Sequence, residues 1–148
     1  MALSMVSINE LIPVIKEKLQ MGGEVTLKIK GTSMRPFFKS DVTCVDLIKF
    51  DGSLNRFDIV LYEALDKTYV MHRYIGMKND KLLICGDALT KEELIHQEQI
   101  IAKVIAFSEN GKSTIITNKR YRRNVKFWVK MKPFRRVLLF FAGRIWGR

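Results

Sequence analysis

Three residues of this 148-residue chain could together hydrolyse a peptide bond: a serine, a histidine and an aspartate. Ser33 lies in the hexapeptide of residues 31–36, where a glycine allows close approach of a substrate backbone and a proline restricts the turn. Serine catalysis also needs a base within hydrogen-bond reach and donors for the oxyanion. His72 is the candidate base, and Asp87 is the candidate for orienting its imidazole through the Nδ1 hydrogen.

Each of these residues also has an ordinary structural interpretation. A serine between Thr32 and Met34 at a strand end is common, and a histidine on a strand is more often a structural hydrogen-bonding residue. Gly86-Asp87 after an apolar strand is also ordinary turn chemistry. The other histidine, His96, lies in a polar segment and is the weaker candidate for a base. It is the joint order of the three residues that favours catalysis.

That order resembles the serine peptidase superfamily of signal peptidase I and LexA-like proteins. Its nucleophile box, Gly-x-Ser-Met-x-Pro, is matched by residues 31–36, and its second box, Gly-Asp-x-Val, is matched imperfectly by residues 57–60. In its third box the base precedes an arginine, and the His-Arg pair at residues 72–73 resembles the endoplasmic-reticulum and archaeal branch. Its fourth box, Gly-Asp-Asn, is matched at two of three positions by residues 86–88.

The resemblance implies a serine endopeptidase in which Ser33 is the nucleophile, His72 the general base and Asp87 the support of the histidine. The oxyanion and the substrate are then expected to contact three residues of the first box: Gly31, Thr32 and Met34. The substrate is expected to be an extended polypeptide that adds to a sheet edge, with a small residue before the cut. Such a substrate could be a precursor or a leader peptide.

The chain departs from this superfamily in three respects. Ala88 replaces the asparagine of the fourth box and removes a side-chain amide near Asp87. A LexA-like protein would carry a helix-turn-helix domain before its peptidase half and a lysine base, neither of which is predicted here. Signal peptidases are anchored by membrane helices, usually N-terminal, where we predict an amphipathic helix. The alternative function is therefore a non-catalytic peptide- or membrane-binding module on a degenerate peptidase fold.

Periodicity predicts the elements that position these residues. Residues 1–23 read as an amphipathic helix, with a capping box from Ser7 to Glu10 and an end at Gly22-Gly23. From residue 24 the apolar period changes to two, and short strands are predicted at residues 43–50, 58–63, 69–76, 81–85, 100–108 and 113–117. Only residues 91–99 could add a helical turn or two. The fold class is therefore mainly β and antiparallel over residues 24–118.

The C-terminal segment differs in charge from the rest of the chain. Residues 1–110 carry a net charge of −1, whereas residues 112–148 hold 12 basic side chains and no carboxylate. Residues 119–148 are predicted to form a basic, aromatic, amphipathic helical tail that Pro133 interrupts. The tail could lie on an anionic membrane surface, pack on the β domain, or bind an acidic partner, and no specific nucleic acid is expected.

Other features limit the remaining possibilities. Cys44 and Cys85 lie in apolar runs without metal-ligand spacing, so buried free thiols are expected, with no metal and no cofactor. The longest uncharged apolar stretch, residues 137–143, is far shorter than the roughly 20 residues of a membrane-spanning helix. We expect no signal peptide and no transmembrane helix, and a location in the cytoplasm or at the cytoplasmic membrane face. The sequence makes no prediction of the oligomeric state.

Overall fold

The computed structural model describes residues 8–145 of the chain and the side chains of residues 8–141. Two residues singled out in the sequence, Ser7 of the capping box and Trp146 of the tail, lie outside the described residues. The helices are α1 (Ile8–Gln20), α2 (Lys119–Lys130) and α3 (Arg135–Ile145). The strands are β1 (Val25–Lys28), β2 (Cys44–Lys49), β3 (Ile59–Glu63), β4 (Tyr69–Lys78), β5 (Lys81–Cys85), β6 (Glu92–Ile95), β7 (Ile100–Glu109) and β8 (Lys112–Ile115).

In the described part of the chain the eight strands form one antiparallel sheet, so the mainly β prediction is confirmed. The strand order is β1-β2-β7-β3-β4-β5-β6, and β8 pairs with β7. Strand β7 is long enough to pair with β2 along one edge and with both β3 and β8 along the other. The consecutive pairs β3-β4, β4-β5 and β5-β6 therefore form a meander that carries the candidate base.

Residues 91–99 are only partly helical. The sequence allowed a helical turn or two here, and a short 3₁₀ helix, Gln97–Gln99, is present, but residues Glu92–Ile95 form strand β6, which was not predicted. Strand β6 pairs with β5, and Ile95 is buried against it opposite Leu82. The polar composition of this segment suits an edge strand, because one face of β6 is exposed and only alternate residues contact the core.

Helix α1 covers one face of the sheet. Its buried residues, Ile12, Ile15 and Leu19, recur at helical spacing and join the core beneath β1 and β2. The helix ends before Gly22, whose φ of 81° is the left-handed conformation that favours glycine at a helix end. The predicted end of this helix at the two glycines is thus confirmed.

Helix α2 belongs to the same core. Tyr121 and Val125 are buried in the cluster that also contains the α1 residues, and the Asn118 side chain caps the helix by accepting from the Tyr121 amide. A 3₁₀ turn with Pro133 then separates α2 from α3, as the sequence predicted. No helix among the described residues is long and apolar enough to cross a membrane.

Candidate active site

Ser33 lies in the turn that follows β1. Two later residues of this turn, Met34 and Phe38, are buried in the core, whereas Ser33 is partly exposed. The backbone bonds from Arg35 to Thr32 and from Phe38 to Met34 close the turn. The serine hydroxyl is thereby carried on a constrained segment at the surface, as a nucleophile requires.

His72 projects from β4 on the face that the sequence predicted. The hydrophobic core consists of two clusters. Val70 and Tyr74, on the same face of β4 as His72, pack against the smaller one, and Met71, on the opposite face, packs against the larger one. His72 is buried, with 7% of its surface exposed. Burial lowers the pKa of its imidazole, and the negative charges of Glu93 and Asp87 oppose that effect. The imidazole is therefore neutral near neutral pH, the form that a general base needs.

Gly86 brings the serine and the histidine together. A Cβ at this position would lie 2.8 Å from the Ser33 carbonyl oxygen and 3.0 Å from His72 Nε2. Both groups thus approach the same point, and any side chain at residue 86 would push them apart. The Ala88 amide also donates to the Ser33 carbonyl at 2.9 Å, which ties the serine turn to this loop.

Ser33 and His72 are neighbours but are not hydrogen-bonded. Among the described residues, the Ser33 hydroxyl makes no hydrogen bond to the imidazole. Catalytic hydrogen bonds in ligand-free enzymes are often long and tighten only when substrate binds.

Asp87 makes no hydrogen bond to the imidazole among the described residues, so the expected orienting contact through Nδ1–H is not present. Its two carboxylate oxygens accept from Arg73 Nε at 2.8 Å and from Arg73 Nη2 at 2.7 Å. The negative charge of Asp87 still favours the imidazolium form of His72 and opposes the lowering of its pKa by burial. Asp87 therefore influences the histidine through its charge and not through a hydrogen bond.

Tyr62 occupies the position expected of the aspartate. Its hydroxyl lies 3.4 Å from His72 Nδ1 and donates to Glu93 Oε2 at 3.2 Å. A phenol that donates to a carboxylate has lone pairs left to accept from Nδ1–H. Burial and the charge of Glu93 raise the pKa of Tyr62, so the phenol stays protonated. This arrangement selects the tautomer whose unprotonated Nε2 faces the serine turn.

The Arg73–Asp87 pair forms a buried polar network beneath the site. Neither side chain is more than 1% exposed. The Arg73 guanidinium also donates to the Phe57 carbonyl and to the Tyr121 hydroxyl of α2, at 2.8 and 2.9 Å. It lies 5.4 Å from the centroid of the Phe37 ring. These contacts join β4, the Asp87 loop and α2 into one rigid support.

The C-terminal helices hold the same loop from the other side. The Trp128 indole donates to the Asp87 carbonyl at 2.6 Å. The buried Arg135 guanidinium donates to the carbonyls of Leu89 and Gly86 at 2.6 and 3.3 Å. The sequence identified neither residue as part of the site, because both lie in the segment that we interpreted as a tail.

The backbone of the serine turn offers donors for an oxyanion. Within the described part of the chain, the amides of Thr32, Ser33 and Met34 donate to no protein acceptor. The Gly31 amide is already used, because it donates to Ser40 Oγ at 3.0 Å. Gly31 instead supplies a left-handed turn, with a φ of 91°.

The roles expected of two first-box residues therefore change. The Gly31 amide is bonded to Ser40 and is not available to an oxyanion, and the Met34 side chain is buried in the core, so only the Met34 amide is left without a protein partner. Thr32 is exposed, as a substrate contact requires.

Comparison with protein-family models, curated proteins and solved structures finds no match for this chain. The chemistry proposed below rests on the residues and geometry just described.

Proposed function

We propose that this protein is a serine endopeptidase of the signal-peptidase type, with Ser33 as nucleophile and His72 as general base. The strongest support is that the Ser33 carbonyl oxygen and His72 Nε2 both lie close to Gly86, in space that a side chain at residue 86 would fill. A serine on a constrained turn beside a buried, neutral imidazole is the arrangement that activates a hydroxyl.

In the proposed mechanism, His72 Nε2 takes the hydroxyl proton as Ser33 Oγ forms a bond to the scissile carbonyl carbon. The carbonyl oxygen, now negative, accepts from free amides of the Ser33 turn. The imidazolium then gives its proton to the amine as the carbon–nitrogen bond breaks. Water attacks the acyl-enzyme by the same route. Tyr62 holds the imidazole throughout, and Glu93 stabilises its charged form.

A polypeptide is the substrate class that the shape of the site favours. A cavity of about 520 Å³ lies between α1 and the ends of β3 and β7, and it is lined by neither Ser33 nor His72. The serine turn instead lies open beside the edge strand β1. An extended chain can reach such a turn, whereas small-molecule sites are usually enclosed. The resemblance of the boxes adds a preference for a small residue before the cut.

The substrates can be identified by comparing peptide termini in cells that contain the wild-type protein or the Ser33→Ala variant. New termini that follow small residues, present with the wild type and absent with Ser33→Ala, are expected. His96→Gln is the matched control, because His96 is exposed and remote from the serine in sequence. Identical termini in all three samples would contradict the proposal and favour a non-catalytic binding module.

The rate at which Ser33 reacts with an active-site-directed phosphonate is expected to rise with pH and to reach a plateau by neutral pH. Protonation of His72 removes the base, and burial lowers its pKa below the usual value of 6.5. The midpoint should therefore lie on the acidic side of 6.5. Glu93→Gln should move it lower still, because the Glu93 charge favours the imidazolium. The check is the rate of phosphonylation by an alanine-terminated peptide diphenyl phosphonate at each pH, and a flat profile would exclude His72.

Tyr62→Phe is expected to lower that rate by about 10- to 100-fold, since the imidazole loses the partner that selects its tautomer. The loss is smaller than the roughly 10⁴-fold effect of altering the orienting carboxylate of a serine-protease triad, because a phenol is a weaker acceptor. Tyr74→Phe is the matched control: Tyr74 lies on the same face of β4, and its hydroxyl makes no hydrogen bond within the described residues. Equal rates for both variants would remove Tyr62 from the mechanism.

A further inference from the structure

Helix α3 buries a charged side chain and exposes apolar ones, which is the opposite of an ordinary amphipathic surface helix. Among the side chains of α3 that the structure describes, those of residues 135–141, only Arg135 is buried, with 1% exposed, and it donates to the Leu89 carbonyl. Its outward face carries Val137, Phe140 and Phe141, each more than half exposed. A helix that served only to pack on the domain would bury these apolar groups and expose the arginine.

The exposed apolar side chains form a group of five within fifteen residues. Their exposed fractions run from 53% to 64%, and they are Phe127, Phe134, Val137, Phe140 and Phe141. Single exposed apolar residues are normal, but a concentration of large ones marks a binding surface. We call this group the apolar face of the C-terminal helices.

The outward face of α2 is basic. Tyr121 and Val125 face the core, and the opposite side of the helix exposes five cations: Lys119, Arg120, Arg123, Lys126 and Lys130. No carboxylate occurs after Glu109, so nothing in the segment itself neutralises them. A partner that matches both the exposed cations and the exposed apolar side chains has a negatively charged surface above an apolar interior.

We propose that helices α2 and α3 dock on an anionic membrane surface, with the apolar face among the lipid chains and the α2 cations at the headgroups. A nucleic acid would satisfy the cations but offers no apolar layer for Val137 and the phenylalanines, and an acidic protein would need an apolar groove as well; an anionic bilayer supplies both over its whole surface. Basic helices with exposed aromatic side chains lie in the bilayer interface for this reason.

Helices α2 and α3 are hydrogen-bonded to the loop of the candidate active site. Trp128 and Arg135 donate to carbonyls of residues 86–89, the loop that contacts the Ser33 turn. A bilayer bound at α2 and α3 would therefore hold the site at the membrane surface, next to polypeptides that emerge from it. Docking itself is independent of the proposed peptidase activity.

The test is co-sedimentation of the full chain with vesicles of phosphatidylcholine and phosphatidylglycerol, with pure phosphatidylcholine vesicles alongside. Binding is expected to the anionic vesicles and to weaken as salt rises, because exposed charges are screened. The double variant Phe134→Ser/Phe141→Ser should bind about 10- to 100-fold more weakly, owing to the lost apolar burial. Lys126→Glu/Lys130→Glu should also bind more weakly.

Two controls keep the outcome specific. Leu65→Ser/Met77→Ser changes two apolar side chains that are 89% and 61% exposed elsewhere on the surface, and it should bind like the wild type. Ser33→Ala should also bind normally, which separates docking from catalysis. Failure of the wild type to bind anionic vesicles, an equal loss in the Leu65/Met77 variant, or binding to RNA without binding to vesicles would overturn the proposal.

Discussion

The His72→Gln variant is expected to react with the alanine-terminated peptide phosphonate about 100- to 10,000-fold more slowly than the wild type, the usual contribution of a positioned general base. The imidazole Nε2 faces the serine turn across Gly86, and the nearby carboxylate of Asp87 is occupied, because both of its oxygens accept from Arg73. Glutamine keeps a polar side chain of similar length but cannot take the proton. Loss of the base should leave the fold intact, as the unfolding midpoint in urea can verify.

The matched control is His96→Gln, which changes the other histidine of the chain. His96 is exposed before the short 3₁₀ helix, so its replacement should leave the reaction rate within about twofold. If the two variants react at the same rate as the wild type, the phosphonate is not attacked by a His72-activated serine.

The second large effect is on stability. Asp87→Asn is expected to lower the free energy of unfolding by about 3 to 5 kcal/mol, because it leaves the buried Arg73 guanidinium without its counter-ion. The asparagine keeps the size of the side chain, so the loss reports the charge and its hydrogen bonds. Urea denaturation followed by tryptophan fluorescence measures the change, and Trp128 contacts residue 87 directly.

Asp41→Asn is the control for this variant. Asp41 pairs with Lys30 at the surface, where both side chains are more than half exposed and solvent screens their attraction, so loss of this pair should change the free energy of unfolding little. Asparagine also tolerates the positive φ of this position. An Asp87→Asn variant as stable as Asp41→Asn, but slow towards the phosphonate, would return Asp87 to the role of orienting the histidine.

The sequence predicted the elements of this fold well because their signals are local. The alternation of residues 69–76 placed His72 and Arg73 on opposite faces, and the helical periods of α1 and α2 marked both helices. The pairing of Arg73 with Asp87 depends on the path of the loop after β5, which periodicity does not describe.

The partners of the site were hidden because they depend on strand register. Tyr62 reaches His72 only because β3 pairs with β4 so that Val60 lies opposite His72. Glu93 reaches Tyr62 only because residues 92–95 form a strand beside β5, which the sequence did not predict. Arg135 and Trp128 come from a segment whose charge pattern suggested a separate tail. Long-range pairing of this kind leaves no short-range pattern in the chain.

The most direct test of the central claim is the mass of the protein after reaction with the alanine-terminated peptide diphenyl phosphonate. Attack by Ser33 Oγ forms the bond to phosphorus as one phosphorus–phenoxide bond breaks, and the serine proton passes through His72 to the departing phenoxide, so the chain gains the mass of the probe less one phenol. Trypsin should then yield a labelled peptide of residues 31–39, and fragmentation should place the adduct on Ser33 rather than on Thr32. We expect one adduct in the wild type and none in Ser33→Ala. An unmodified wild type, or equal labelling of Ser33→Ala, would contradict the account.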